Sequence, residues 1–200
     1  MMSKFEMVFS SFPVYLWDDI SKVMEILPNK TINNKTINNV SDVFCGESTV
    51  YVLPNYIIDI PYRLYLLDVE DFEYKKLNQI QKQIVCCMYT RSCDGYIREK
   101  YLTRLLDMPF ELWSIPYIVK LCDEYVVEIL KIIYDKLKEW DNKDIQRFCL
   151  MNKVSINKSY SRMVSYWNEY YRKDEFDFKK YIGRNLFEEC LGYDRHFESN

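Results

Sequence analysis

Two stretches of this chain hold side chains whose types and spacing can do chemistry. The first is Tyr89-Thr90-Arg91-Ser92-Cys93-Asp94-Gly95-Tyr96-Ile97-Arg98-Glu99-Lys100. Asp94 stands where a carboxylate caps a following helix by accepting from the N–H groups of its first turn. Gly95 supports a sharp turn there. Arg91 then ends one helix and Arg98 lies one turn into the next, so both guanidiniums converge on one corner, with Tyr96 in the same turn. Two guanidiniums beside a helix N-terminus suit a phosphate or a carboxylate. The structural alternative pairs Arg98 with Asp94 at i, i+4 and leaves Arg91 capping the carbonyls of its own helix.

The second stretch is Ser165-Tyr166-Trp167-Asn168-Glu169-Tyr170-Tyr171-Arg172. Four aromatic residues within six positions cannot all face one core, so some must meet solvent or a partner. Trp167, Asn168, Tyr171 and Arg172 have the composition of a protein-binding hot spot. Bases of a nucleic acid also stack on such rings, but that use needs surplus positive charge, which this segment lacks.

Other chemistries are excluded by what is missing. The chain has four scattered glycines, one histidine (His196) and no alanine. Dinucleotide and phosphate loops and the nucleophile elbow need clustered glycines. One histidine near the end leaves no multi-histidine metal site and no base for a serine triad. The pairs Asp18-Asp19, Asp123-Glu124 and Glu188-Glu189 are sequence neighbours, which on a helix point about 100° apart, so they read as solvated carboxylates. Seven cysteines with no framework spacing read as buried, reduced thiols, which places the protein inside a cell. No cofactor or metal follows from any of this. A net charge of −3 gives no field for nucleic acid or a membrane surface. No signal peptide and no apolar run of membrane-spanning length is present.

The elements that must position these residues follow from periodicity. Residues 14–27 read as a short amphipathic helix closed by Pro28, and the tandem repeat TINNKTINN at 31–39 reads as a mobile loop. Residues 48–53 and 56–65 form a β-hairpin signal around Pro54-Asn55, with Pro61 confining the second strand to an edge. An acidic stretch, Asp68 to Glu73, marks the only internal boundary. Beyond it the pattern is helical. Leu77, Ile80, Ile84, Cys87 and Arg91 share one face; Ile97, Tyr101 and Leu105 share the next. Val126, Leu130, Ile133, Leu137 and Trp140 step by 4, 3, 4 and 3, as do Ile156, Tyr160, Met163, Trp167 and Tyr170. Residues 174–191 close the chain as a helix, with Gly192 as its C-cap. The reading is a mostly α fold of stacked αα-hairpins: an N-terminal part at 1–73, a helical domain at 74–192 and a polar tail at 193–200.

The runs IPYRLY (60–65), YTRSCDGYIREKYL (89–102), WSIPYIVKLCDEYVVEIL (113–130) and SYWNEYYR (165–172) together resemble an uncharacterised family of bacteria and of large DNA viruses of protists. The resemblance spans about residues 60–185 and brings no activity with it. It implies a viral protein, as does a composition rich in Asn, Ile, Lys and Tyr and free of alanine. The segment from Asp94 to Leu102 also resembles the second helix of HEAT-type repeats, where Asp and Arg form a polar ladder between hairpins. Histidine is common in the family where this chain has Ser92 and Cys93. The function expected is a non-enzymatic module that binds a host or viral protein, or a second copy of itself. A phosphate- or carboxylate-dependent protein or enzyme centred on Arg91, Asp94 and Arg98 is the alternative, and a nucleic-acid accessory protein the second.

Overall fold

The computed structural model describes residues 8–27, 30–32, 35–37, 44–194 and 197. Helix dominates, with small antiparallel sheets confined to the N-terminal part. The chain divides into two compact units, Met1–Pro109 and Phe110–Asn200.

In the first unit, β1 (Lys30–Ile32) pairs antiparallel with β2 (Lys35–Ile37), Thr31 opposite Thr36. The repeat expected to be a loop therefore pairs with itself. Each strand is a copy of Lys-Thr-Ile, whose β-branched threonine and isoleucine favour strand, and the rest of the repeat lies outside the described residues. β3 (Phe44–Val52) pairs with β4 (Ile57–Leu64) in the register Tyr51↔Ile58 and Thr49↔Ile60. Alternation buries Tyr51, Leu53, Ile58 and Ile60 and exposes Val50, Val52 and Ile57. Pro61 sits opposite Ser48, next to a bulge, where its missing N–H costs the ladder least.

α1 (Trp17–Ile26), led by a 3₁₀ turn at Val14–Leu16, buries Leu16, Ile20 and Val23. α2 spans Asp71–Lys76, α3 Gln79–Tyr89 and α4 Gly95–Leu106. α3 opens with a capping box: Asn78 accepts from the Gln81 N–H and Gln81 accepts from that of Asn78. Asp19, read as solvated, instead accepts from Gln81 Nε2 at 2.8 Å and so ties α1 to this cap. α3 and α4 fold back on each other as an αα-hairpin.

The acidic stretch is bonded to α4. Asp68 accepts from Tyr101 and Lys100, both at 2.6 Å, and Asp71 accepts from Arg104 at 3.2 Å. The division into compact units falls after Pro109.

In the second unit, a 3₁₀ turn (Leu112–Ser114) leads into α5 (Ile115–Val119), with Pro116 in its first turn. α6 (Val127–Leu137) buries Ile129, Leu130, Ile133 and Leu137; α7 (Lys143–Met151) buries Ile145, Phe148 and Cys149. α8 (Lys153–Tyr166) runs into a π-helical turn at Trp167–Tyr171. The expected helix over 174–191 is broken into a 3₁₀ turn (Phe178–Lys180), α9 (Ile182–Asn185) and a second π turn (Leu186–Cys190). Asp177 caps the 3₁₀ turn, and Tyr181 then adopts extended backbone that sends its ring onto Tyr171, with centroids 5.8 Å apart. α6 packs on this closing segment. Gly192, at φ 69°, is the left-handed cap expected there. The polar tail is polar only in part: Tyr193 stacks on Tyr160 at 4.1 Å, and Phe197 is buried. His196 lies outside the described residues.

Candidate functional site

The arginine corner is built by the α3–α4 turn lying against β4. Leu64 N–H donates to the Arg91 carbonyl at 2.7 Å and Cys93 N–H to the Leu64 carbonyl at 3.2 Å, a parallel bridge that fixes the turn to the strand. Asp94 caps α4, accepting from the N–H groups of Tyr96 at 2.8 Å and Ile97 at 3.4 Å. Arg91 and Arg98 are each only 1% exposed. Arg91 donates to the carbonyls of Pro61 (3.3 Å) and Tyr62 (2.8 Å), so it anchors the strand. Arg98 donates back to the carbonyls of Ser92 (2.9 Å) and Cys93 (3.2 Å). Tyr96, in contrast, stands out in solvent. The turn thus brings Arg91, Asp94 and Arg98 together, with both guanidiniums directed at backbone oxygens.

Behind the corner lies a network that sequence spacing did not announce. The Tyr89 ring stacks on Tyr101 at 4.5 Å, and its hydroxyl donates to the Leu67 carbonyl at 2.5 Å. Tyr74 sits edge-on to Tyr101, with centroids 6.2 Å apart, and its hydroxyl is 3.3 Å from Cys86 Sγ. The Arg104 guanidinium lies over both rings, 4.7 Å from Tyr74 and 5.2 Å from Tyr101. Burial works to raise the Asp68 carboxyl, but the bonds from Lys100 and Tyr101 outweigh it and hold it below its usual value. Burial pushes the Cys86 thiol up to about 11, so it is no thiolate nucleophile at neutral pH.

The aromatic stretch of the second unit is divided in two by the π turn. Trp167 turns inward: its Nε1 donates to the Glu175 carbonyl at 2.9 Å, and its ring lies 4.8 Å from Phe178. Arg172 donates to Asn168 Oδ1 at 2.9 Å and rests over Trp167 (5.8 Å) and Phe176 (5.9 Å). Tyr171 donates to the Tyr125 carbonyl at 2.5 Å; burial, helped by Glu128, pushes its phenol up. Trp167, Asn168 and Arg172 therefore form one group, and Tyr171 belongs to another. Sequence reasoning missed the members that face solvent: Tyr125 (49% exposed), Tyr170 (58%) and Phe176 (78%). Tyr125 comes from another part of the chain, so no local pattern points to it.

A second surprise is beside Tyr125. Asp123 and Glu124, read as solvated, are buried, as is Lys120. Asp123 Oδ2 accepts from Arg162 and lies 3.6 Å from Lys120 Nζ. A buried carboxylate needs such partners, and Arg162 is supplied by α8, 39 positions along the chain. A cleft of about 340 Å³ lies elsewhere in the unit, lined by Lys138, Trp140, Asn142, Lys143, Gln146 and Glu189 among others. Its charges are paired locally: Lys138 with Asp135, Lys143 with Asp141, and Glu189 with the Tyr134 hydroxyl.

Among the described residues no group of three or more His, Cys, Asp or Glu is placed to hold a metal, and no helix is long and apolar enough to cross a membrane. No protein-family model, no curated protein and no solved structure matches the chain.

Proposed function

We propose that this chain is a non-enzymatic α-helical module that binds a protein partner. The observation that carries the reading is the exposed aromatic surface of the second unit. Tyr125, Tyr170 and Phe176 face solvent while their half-buried neighbours Trp167, Tyr171 and Phe178 pack on rings within the unit, Trp167 on Phe178 and Tyr171 on Tyr181. Rings presented on fixed backbone lose little entropy when they are covered, which is why such residues dominate interface energetics. The phosphate or carboxylate alternative has less support, because the Arg91 and Arg98 guanidiniums donate to backbone carbonyls. The nucleic-acid alternative has less again, since the chain carries a net charge of −3.

Two finer parts of the reading belong with it. HEAT-like character is supported by the α3–α4 hairpin and its Asp94-capped turn. An intracellular, reducing home is supported by the burial of Cys86, Cys87, Cys122, Cys149 and Cys190 as free thiols. The test uses the immobilised full chain beside its Tyr170→Ala/Phe176→Ala variant, with light scattering of both. A partner, or a second copy, held by the parent chain and lost by at least tenfold in the variant is the expected result. A strictly monomeric chain that retains nothing the variant does not also retain overturns the proposal.

A further inference from the structure

α7 and α8 run on in one helical sense across Asn152. The Asn152 N–H donates to the carbonyls of Phe148 (3.2 Å) and Cys149 (3.1 Å), and the Ile156 N–H donates to the Asn152 carbonyl at 3.0 Å. Helical spacing therefore carries from one helix into the next. Ile145, Phe148, Ile156 and Met163 fall on the buried side. Arg147, Leu150, Met151, Val154 and Lys158, spaced by 3, 1, 3 and 4, fall on the opposite side and form one stripe. All five are exposed, Leu150 by 54%, Met151 by 39% and Val154 by 72%. From Arg147 to Lys158 the stripe is about 16 Å long, or about three turns of helix.

The ends of this stripe are basic and its middle is apolar. From Ile145 to Asn168 the chain carries Arg147, Lys153, Lys158 and Arg162 and no Asp or Glu. Arg162 is taken up by Asp123, and Lys153 rests over the Phe197 ring at 5.8 Å. Arg147 and Lys158 make no ion pair or side-chain hydrogen bond among the described residues. Asp144, one turn before Arg147, borders the stripe on α7; against Arg147, Lys153 and Lys158 it leaves the face positive. Asp194, brought to the flank of α8 by the stacking of Tyr193 on Tyr160, is engaged. Contiguous exposed apolar side chains rimmed by charge mark a surface that a partner covers, and a methionine among them adapts to the shape it meets.

We infer that this stripe docks an acidic amphipathic helix of a partner protein, with apolar side chains set on Leu150, Met151 and Val154 and carboxylates on Arg147 and Lys158. The stripe shares no residue with the exposed rings Tyr125, Tyr170 and Phe176, and the inference stands without the reading drawn from them. A helix face offers ridges and grooves that a second helix fills. An arginine takes a carboxylate by two parallel bonds, which fixes the register of such a guest. A nucleic acid would leave the apolar middle uncovered. A helix that lies in a bilayer surface buries a broad apolar face, and the broad apolar face of α7 and α8 is already buried in the protein.

The test uses the full chain and a fluorescein-labelled peptide of two Glu-Leu-Glu-Glu-Leu-Leu-Glu heptads, with the peptide that has lysine at every glutamate as its counterpart. Fluorescence anisotropy is expected to show saturable binding of the glutamate peptide and about tenfold weaker binding of the lysine peptide. Arg147→Glu/Lys158→Glu should reverse that order, and Leu150→Ser/Val154→Ser should weaken the glutamate peptide about tenfold. These four side chains are exposed, and a reversal of preference is a gain that a misfolded chain does not show. Tyr170→Ala/Phe176→Ala should keep the affinity within about twofold. Equal binding of the two peptides, an unchanged order in the reversed variant, or loss of binding in Tyr170→Ala/Phe176→Ala would overturn the inference. So would phosphatidylserine vesicles or a single-stranded oligonucleotide bound in the peptide's place and released by the charge reversal. A chain that captures a partner through Tyr170 and Phe176 yet fails these titrations loses this inference and keeps the module reading. One that binds the glutamate peptide at the stripe and loses nothing in Tyr170→Ala/Phe176→Ala has lost the aromatic surface alone.

Discussion

Arg91 does its work as a structural anchor. A guanidinium 1% exposed, donating to the carbonyls of Pro61 and Tyr62, replaces the strand partner that β4 lacks on that side. Each charge-assisted bond in such a place contributes about 1.5–3 kcal/mol, and truncation also leaves the carbonyls unsatisfied. Arg91→Ala is therefore expected to lower stability by about 2–4 kcal/mol, read as a fall in the urea midpoint, and Arg91→Lys to recover less than half of it. Phosphate should raise the melting temperature of neither form; a phosphate-dependent rise in the parent chain that is absent from Arg91→Ala would restore the anion reading. Asp94 was legible in the sequence because its partners are two and three residues away. Arg91 was not, because Pro61 and Tyr62 lie 30 and 29 residues upstream. The same distance hid the burial of Asp123, whose cation comes from α8. Local chemistry is written in spacing, and long-range pairing is not.

Elements with a strong apolar period were legible for a related reason. α6 buries Leu130, Ile133 and Leu137 as its spacing required, and α8 buries Ile156 and Met163. The pattern misled where aromatics continued it past the end of regular α-helix. Trp167 and Tyr170 extend the stripe of α8, yet the backbone there widens into a π turn and sends the two rings to different surroundings. α9 carries a packing constraint that can be tested. A Cβ at Gly183 would lie 2.6 Å from Tyr181 Cε1 and 2.9 Å from Met163 Cγ, so this glycine permits the close approach of α9 to α8. Gly183→Ala should cost about 1–3 kcal/mol by overpacking, despite the higher helix propensity of alanine. Met163→Ala opens space on one side of that contact, so the double variant should lose at least 0.5 kcal/mol less than the two single losses together, on the scale of coupling between touching residues. Strict additivity in urea titrations would show that the two side chains do not meet.

At the scale of the whole molecule, the cysteines report on the two units separately. Cys86 and Cys87 are buried in the first, Cys122, Cys149 and Cys190 in the second. Burial pushes the thiols of all five up, in some cases to about 11, so near neutral pH they are both shielded and protonated. Exposed Cys93 lacks that shielding. Thiol labelling of the native chain should accordingly modify Cys93 at once and spare the buried five, while unfolding exposes each group as its own unit opens. Each unit has its own apolar core, Ile58, Ile60 and Ile84 in one and Leu130, Ile133 and Phe187 in the other, which is what lets a domain unfold on its own. Labelling across a urea series, read by mass spectrometry of the peptides, is expected to give two midpoints, one shared by Cys86 and Cys87 and another by Cys122, Cys149 and Cys190. A single midpoint common to all five would mean that the division after Pro109 is one of geometry and not of stability. The Arg91→Ala substitution separates these outcomes further: it should move the first midpoint and leave the second in place, because both carbonyls that Arg91 holds belong to the first unit.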